Sequence, residues 1–228
     1  MLYRVGVNDI ESGNWVAWVL SLDGCFSRGA TRDDAVEGVP EAVTAYFRWL
    51  QHHDPEFVPP HAVIEFIVAE DIRSLALPDG YYANAFFDDD RKPITADDAA
   101  RVRRLLGYTR QDLISVISRI SPEQMDRPIE AEVRGCLRRV IRHVASAEWW
   151  YCDRLDLAFD WEEMPSDTLS SLERTRAHFL TLLPRLVGDE RLVEKRNEKW
   201  SARKLARRAL WHEIVHTRQI ERYLRAMN

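Results

Sequence analysis

The sequence predicts an α+β protein of two domains, a small β-β-β-α-β module followed by an all-α four-helix bundle. Hydrophobic spacing supports this, because it follows a period of two early in the chain and helical spacing after about residue 95. Charge supports it too: residues 1–90 hold 16 acidic against 5 basic residues, a net −11, whereas residues 91–228 hold 21 acidic against 27 basic, a net +6. Between them, Pro78-Asp79-Gly80 and Asp88-Asp89-Asp90 followed by Pro93 are turn-forming and unsuited to a core. The expected boundaries are an α+β domain over 1–77, a junction over 78–94 and a helical bundle over 95–228.

In the first part, Leu2 to Val7 alternates, with Tyr3, Val5 and Val7 on one side. Trp15 to Leu20 is a dense run of strand formers, and the polar stretch Asn8 to Asn14 between the two is hairpin material. Leu22 to Gly29, with glycines at 24 and 29, predicts a short bent third strand. Thr31 with Asp34 forms a variant capping box. It opens a helix expected to run to about Gln51 with Ala35, Val39, Val43, Tyr46, Phe47 and Leu50 inward, at the cost of Pro40 inside it. Ala62 to Ala69 reads as a fourth strand. The junction aromatics Tyr81, Tyr82, Phe86 and Phe87 suit packing across a seam or an edge strand better than a free linker.

The second part predicts four helices: Thr95 to about Ile120, Gly135 to Leu157, Ser166 to Leu183, and one capped by Ser201 that runs to about Ala226. A loop with Pro122 and Pro128 fills 121–134. Four rods of this length pack economically as a bundle.

Composition narrows the function classes. A hydrophobic share of 46% with 30% charged residues supports a packed core rather than a disordered chain. No apolar run reaches the roughly 20 residues that cross a bilayer, so no membrane association is expected. Three widely spaced cysteines, Cys25, Cys136 and Cys152, form neither a disulfide framework nor a C-x-x-C motif, and a reducing cytoplasm is the expected home. The acidic first part repels nucleic acid and favours a basic partner, or simply keeps the domain soluble.

Of seven histidines, His52, His53 and His61 flank a loop, and His178 lies mid-helix where a core-edge role is expected. His212 and His216 differ, because spacing of four puts both on the bundle-facing side of the last helix, with Leu205, Ala209, Gln219/Ile220 and Tyr223. Imidazoles facing an apolar interior need partners for their nitrogens. A shared metal ion is one solution, although such spacing also arises by chance. His143, among Val140, Val144 and Ala147 on the second helix, is either a third ligand or a satisfied core histidine. Three nitrogen ligands leave positions open for water or substrate, as in catalytic sites, and suit zinc, nickel, iron or copper. His212-Glu213-Ile214-Val215-His216 also matches the zinc-protease string letter for letter, with Glu213 as general base. That reading lacks a third ligand, since none of the 12 residues after His216 is histidine.

Two resemblances sharpen these expectations. Ile141-Arg142-His143-Val144-Ala145-Ser146-Ala147-Glu148-Trp149-Trp150, Glu198-Lys199-Trp200-Ser201, and Trp211-His212-Glu213-Ile214-Val215-His216-Thr217-Arg218-Gln219-Ile220 resemble the DinB/YfiT-like four-helix-bundle superfamily over about residues 95–228. That likeness implies a metal triad of His143, His212 and His216 binding a divalent ion, zinc or nickel first, and a homodimer. It also implies chemistry such as transfer of a low-molecular-weight thiol onto a small electrophilic substrate. The catalytic residues stay unassigned. Asp23-Gly24-Cys25-Phe26-Ser27-Arg28-Gly29-Ala30-Thr31-Arg32-Asp33-Asp34-Ala35 resembles the HicB-like antitoxin domain over residues 3–69, with Asp34 in place of the usual Glu. Such modules bind small basic toxins. No DNA-binding segment accompanies it, and the carboxylate cluster of RNase H catalysis is missing.

Arg203, Lys204, Arg207 and Arg208, one or two turns before His212, either attract an anionic cosubstrate or form a solvated basic face. Trp149, Trp150, Trp200 and Trp211 either line a mouth or pack. Two functions therefore compete. One is a metal-dependent transferase. The other is a non-catalytic regulatory protein whose acidic domain recruits a basic protein partner.

Overall fold

A computed structural model describes residues 1–11, 14–61, 63–130 and 132–227. The chain divides into two units, one of Met1–Lys92 with Glu194–Trp200, the other of Pro93–Val193 with Ser201–Asn228. The architecture is α+β, with a sheet in the first unit and helices dominating the second.

The first unit is built on four strands: β1 (Leu2–Glu11), β2 (Asn14–Val19), β3 (Phe26–Gly29) and β4 (Glu65–Ile72). Their order is β3-β2-β1-β4, with β1 antiparallel to β2 and parallel to β4. The parallel pair requires a crossover, supplied by α1 (Arg32–Glu37) and α2 (Val39–His53). Tyr3, Val5, Val7, Ala17 and Val19 pack against Ala35, Val39, Val43 and Tyr46. β1 runs past the expected Val7 to Glu11, and Ser12 and Gly13 of the expected hairpin loop lie outside the described residues. β4 begins at Glu65 rather than Ala62, and Ala62 is also outside the described residues.

The single helix expected from Thr31 to Gln51 is two. The Thr31–Asp34 capping box is present, but α1 ends at Gly38, which also starts α2 and puts Pro40 in the first turn of α2. A first-turn proline forfeits no hydrogen bond, so the cost expected for an interior proline does not arise. Glycine at this position permits the close approach of β3, because a Cβ there would lie 2.3 Å from the Ser27 hydroxyl.

Two residues each of β5 (Leu75–Ala76) and β6 (Tyr82–Ala83) form a small hairpin. Of the junction aromatics, Tyr82 lies in β6, and Phe87 packs so closely on Gly6 of β1 that a Cβ there would lie 2.7 Å from its ring.

The second unit carries α3 (Ala96–Ile117), α4 (Pro122–Asp126), α5 (Leu137–Asp153), α6 (Thr168–Leu182) and α7 (Ala202–Met227). Thr95 and Asp98 form the capping box of α3, Asp167 caps α6, and the Ser201 hydroxyl accepts from the Lys204 N–H at 3.1 Å to open α7. The expected loop over 121–134 contains the one-turn α4, capped reciprocally by Ser121 and Gln124. Strands β7 (Val193–Lys195) and β8 (Glu198–Trp200) pair around Arg196 and Asn197, which have φ of 55° and 59°. Both central residues are thus left-handed, as a tight hairpin turn requires. Glu198 to Trp200, part of the string that carries the bundle resemblance, are strand, and α7 begins directly after its expected cap Ser201.

Leu113, Val116, Leu137, Val140, Ile141, Val144, Leu172 and Ile220, drawn from α3, α5, α6 and α7, form the core of this unit. No helix of the described residues is long and apolar enough to cross a membrane. None of the three cysteines forms a disulfide.

Candidate metal centre

On α7, the stripe Leu205, Ala209, His212, His216, Ile220 and Leu224 is buried, following spacings of three and four. His143 lies on α5 between buried Val140 and Val144. The two helices bring the three imidazoles together. Ring centroids lie 4.8 Å apart for His143 and His212, 4.9 Å for His143 and His216, and 4.3 Å for His212 and His216. The candidate ligand atoms all fall within 4.8 Å of one another, and this is the one such three-residue group among the described residues.

The donor set fits a divalent metal ion. Nε2 of His143 and Nε2 of His212 face each other at 3.0 Å. At that distance one ring can donate an N–H to the other, and two ligands of a tetrahedral centre with bonds of about 2.0–2.1 Å stand only slightly farther apart. Burial pulls the His143 imidazole down to about 3, helped by the charges of Arg134 and His216. Burial likewise holds His212 well below its ordinary value, with His216, His143, Arg208 and Arg134 adding to the effect. Both rings are therefore neutral near pH 7, the form that coordinates metal.

A relay orients the third ring. Nδ1 of His216 meets Oε1 of Gln219 at 2.6 Å. The Gln219 amide donates in turn to Oε2 of Glu132 at 2.7 Å, and that oxygen also accepts from the Tyr223 hydroxyl at 3.0 Å. Because the carboxylate can only accept, the amide must present its oxygen to His216. Nδ1 then carries the proton and Nε2 the lone pair, the outer-shell arrangement typical of ligating histidines. Glu132 is anchored by Arg134 through its backbone N–H at 3.0 Å and its guanidinium at 3.1 Å. The sequence reading quoted Gln219 as part of a motif but missed Glu132, which lies in the loop before α5, 87 residues away, with no local pattern to mark it.

Glu213 has a different fate. One residue along a helix turns the side chain by about 100°, so Glu213 faces away from the imidazole stripe into a second buried cluster. Its Oε1 accepts from Nε of Arg110 at 2.6 Å, and its Oε2 from Arg176 at 2.6 Å and from the Thr109 hydroxyl. Glu148 accepts from the same two arginines, Arg176 at 2.6 Å and Arg110 at 3.1 Å, and from Thr175 at 3.2 Å. Burial works to raise the Glu213 carboxyl, but the Arg176 and Arg110 charges overcome it and hold the group below its usual range. A carboxylate so engaged has no free oxygen for general-base work, and the zinc-protease reading fails here.

The remaining sequence candidates separate cleanly. His178 bonds the Leu157 carbonyl at 2.6 Å and packs on Phe159, a structural role. Trp149 donates to the Phe159 carbonyl at 2.8 Å and packs on Trp161, and Trp150 stacks under Arg154. Trp200 is fully buried. Trp211 lies beside His212, with ring centroids 6.2 Å apart. The solvated basic face on early α7 does not exist, since Lys204, Arg207 and Arg208 are all buried. Arg203 pairs with Asp98 at 2.7 Å.

A unit built on a four-stranded sheet with two helices, and a helical unit that holds a buried histidine cluster, define this as an α+β protein with a candidate metal centre. The UPF0150 protein Ta0767 of Thermoplasma acidophilum is 37% identical over 54 residues, which make up 24% of this chain and 78% of that protein. The chain thus belongs to the UPF0150 family, and the match supports a HicB-like domain at its N-terminal end. No family model and no solved structure matches the chain.

Proposed function

We propose that the second unit is a DinB-like four-helix bundle whose His143, His212 and His216 hold a divalent ion, zinc or nickel, and that the protein is a thiol-dependent transferase acting on a small electrophile. The observation that carries this reading is the meeting of three buried imidazoles from two helices within 4.8 Å, one of them locked by the Gln219–Glu132 relay. When bound, such an ion supplies Lewis acidity that lets a coordinated thiol ionise near neutral pH. The protein's own part is to keep His143 and His212 neutral by burial and to hold His216 in one tautomer. Tyr151, 5.8 Å from His212 between ring centroids, and Trp211 wall the cluster with aromatic surface. The thiol proton leaves to solvent, the sulfur forms a bond to the electrophilic carbon, and the leaving group departs with its electron pair.

The experiment is elemental analysis of purified protein. About one ion per chain is expected in wild type and none in His216→Ala. Equal content in both overturns the triad.

A second reading draws on the UPF0150 match and the net −11 of residues 1–90. In it the metal is structural and the acidic unit recruits a basic protein partner. Cobalt substitution separates the two, because an exchangeable coordination position responds spectroscopically to added thiol and a saturated one does not. In either reading we expect a cytoplasmic homodimer, which sedimentation tests.

A further inference from the structure

Arg208 is the buried cation that the fold leaves unanswered. Its side chain is 7% exposed, and its Nε and Nη1 atoms meet no hydrogen-bond acceptor among the described residues. Other buried arginines of this unit behave differently. Arg110 and Arg176 each bridge both Glu148 and Glu213, so their charges are cancelled and their donors used. Arg208 has aromatic neighbours instead, with its guanidinium 4.5 Å from the Trp211 ring centroid and 5.9 Å from that of Tyr151. Ring faces attract the charge but leave the in-plane N–H donors unmet. Keeping a charged donor buried and unsatisfied is costly, so such a group marks a place where a ligand completes the site.

Its position specifies which ligand. Arg208 precedes His212 by one helical turn, on the same face of α7. The same two rings that flank Arg208 also flank His212, Trp211 at 6.2 Å and Tyr151 at 5.8 Å. Guanidinium and imidazole cluster thus share an aromatic wall. A molecule lying along it meets a nitrogen-donor cluster at one end and an unpaired guanidinium at the other.

We propose that Arg208 is the anion-binding residue of this centre and receives the carboxylate of a small organic acid whose other end reaches His143, His212 and His216. The inference rests on the metal reading above and narrows it, since the thiol or its electrophilic acceptor is then a carboxylate. A guanidinium pairs with a planar carboxylate through short, charge-assisted hydrogen bonds.

The test uses cobalt-loaded protein and two probes of similar length, 3-mercaptopropionate and the neutral 3-mercapto-1-propanol, titrated by the sulfur-to-cobalt absorption band. Wild type is expected to bind the carboxylate probe at least about tenfold more tightly, the scale of a hydrogen bond to a charged group. Arg208→Gln is expected to erase that preference without changing affinity for the neutral thiol, and Arg208→Lys to retain part of it. Equal affinities in wild type, or a preference that persists in Arg208→Gln, overturn the proposal while leaving the metal centre standing. A parallel arm uses metal-stripped protein and propionate, read as the rise in melting temperature. If cobalt fails to load but the propionate effect depends on Arg208, the metal reading falls and the anion site stands. Absence of that dependence in both arms overturns the anion site. Should Arg208→Gln not fold, the Arg208→Lys comparison decides: a weakened preference for 3-mercaptopropionate in a folded protein supports the site, and an unchanged preference overturns it.

Discussion

Two buried polar clusters lie side by side in the helical unit, and they obey opposite rules. The cluster of Arg110, Arg176, Glu148 and Glu213 closes on itself. Two positive and two negative charges alternate, each arginine touches both carboxylates, and Thr109, Thr175 and the Leu106 and Leu172 carbonyls take the remaining hydrogen bonds. It draws residues from α3, α5, α6 and α7, so it ties all four long helices together. The histidine cluster does not close. His143 and His212 meet Nε2 to Nε2, a contact that one proton or one shared ion can fill, and Nε and Nη1 of the adjacent Arg208 meet no acceptor among the described residues. Satisfaction marks the first as structural, and the lack of it marks the second as a place for chemistry. Neighbouring positions on one helix, Glu213 beside His212, serve the two clusters separately because they point about 100° apart.

The largest effect expected from this contrast is on stability. Glu213→Ala leaves two arginines short of a carboxylate in a buried site and should cost about 3–5 kcal/mol, read from urea unfolding of metal-stripped protein. His216→Ala should cost clearly less in the same assay. An equal loss would break the distinction.

Next comes the response to metal. Wild type with ion at about 100 times its dissociation constant should gain about 2.7 kcal/mol, while His143→Ala and His212→Ala gain little and Glu148→Gln, if folded, keeps the response. Stabilisation of the histidine variants equal to that of wild type would place the ion elsewhere.

Smaller still is the effect of the relay. Gln219→Leu keeps all three ligands but frees the His216 ring, and should weaken metal binding by about 10–100-fold in a chelator competition. Undiminished affinity would show that the ring needs no outside support.

The mildest is a pH effect on metal-stripped protein. His143 titrates at about 3 in the folded chain, and His212 also lies well below its ordinary value. The unfolded chain therefore takes up protons that the folded chain refuses as pH falls below about 6.5. Stability should be flat above that pH and decline below it, continuing down toward the folded His143 value. His143→Gln removes one of these protons and should make the decline shallower. A slope unchanged in that variant would remove His143 from the account.

Much of this was open to a reader of the sequence. Thr95, Thr31 and Ser201 announced helix starts through local capping chemistry, and those caps are present. The spacing of His212 and His216 placed them on one face. What local pattern missed had distant causes. Gly38, between α1 and α2, leaves room for the Ser27 hydroxyl of β3 where a side chain would stand, and nothing within the helix records this approach. Glu198 to Trp200 form a strand after a turn in which both Arg196 and Asn197 are left-handed; asparagine suits that conformation, but arginine does not advertise it.

The sequence alone determined which side chains share a helical face, since that depends only on a repeat of 3.6 residues per turn. It also determined where most helices start, since a cap involves residues three apart. Which faces meet was decided by tertiary structure alone. Packing α5 against α7 set His143 opposite His212, turned Glu213 toward Arg110 and Arg176, and brought Glu132 to Gln219. It also set Arg208 against aromatic rings and left its Nε and Nη1 without an acceptor among the described residues. Contacts across 69 or 87 positions of chain depend on the whole set of packed faces at once, and a local pattern carries no trace of them.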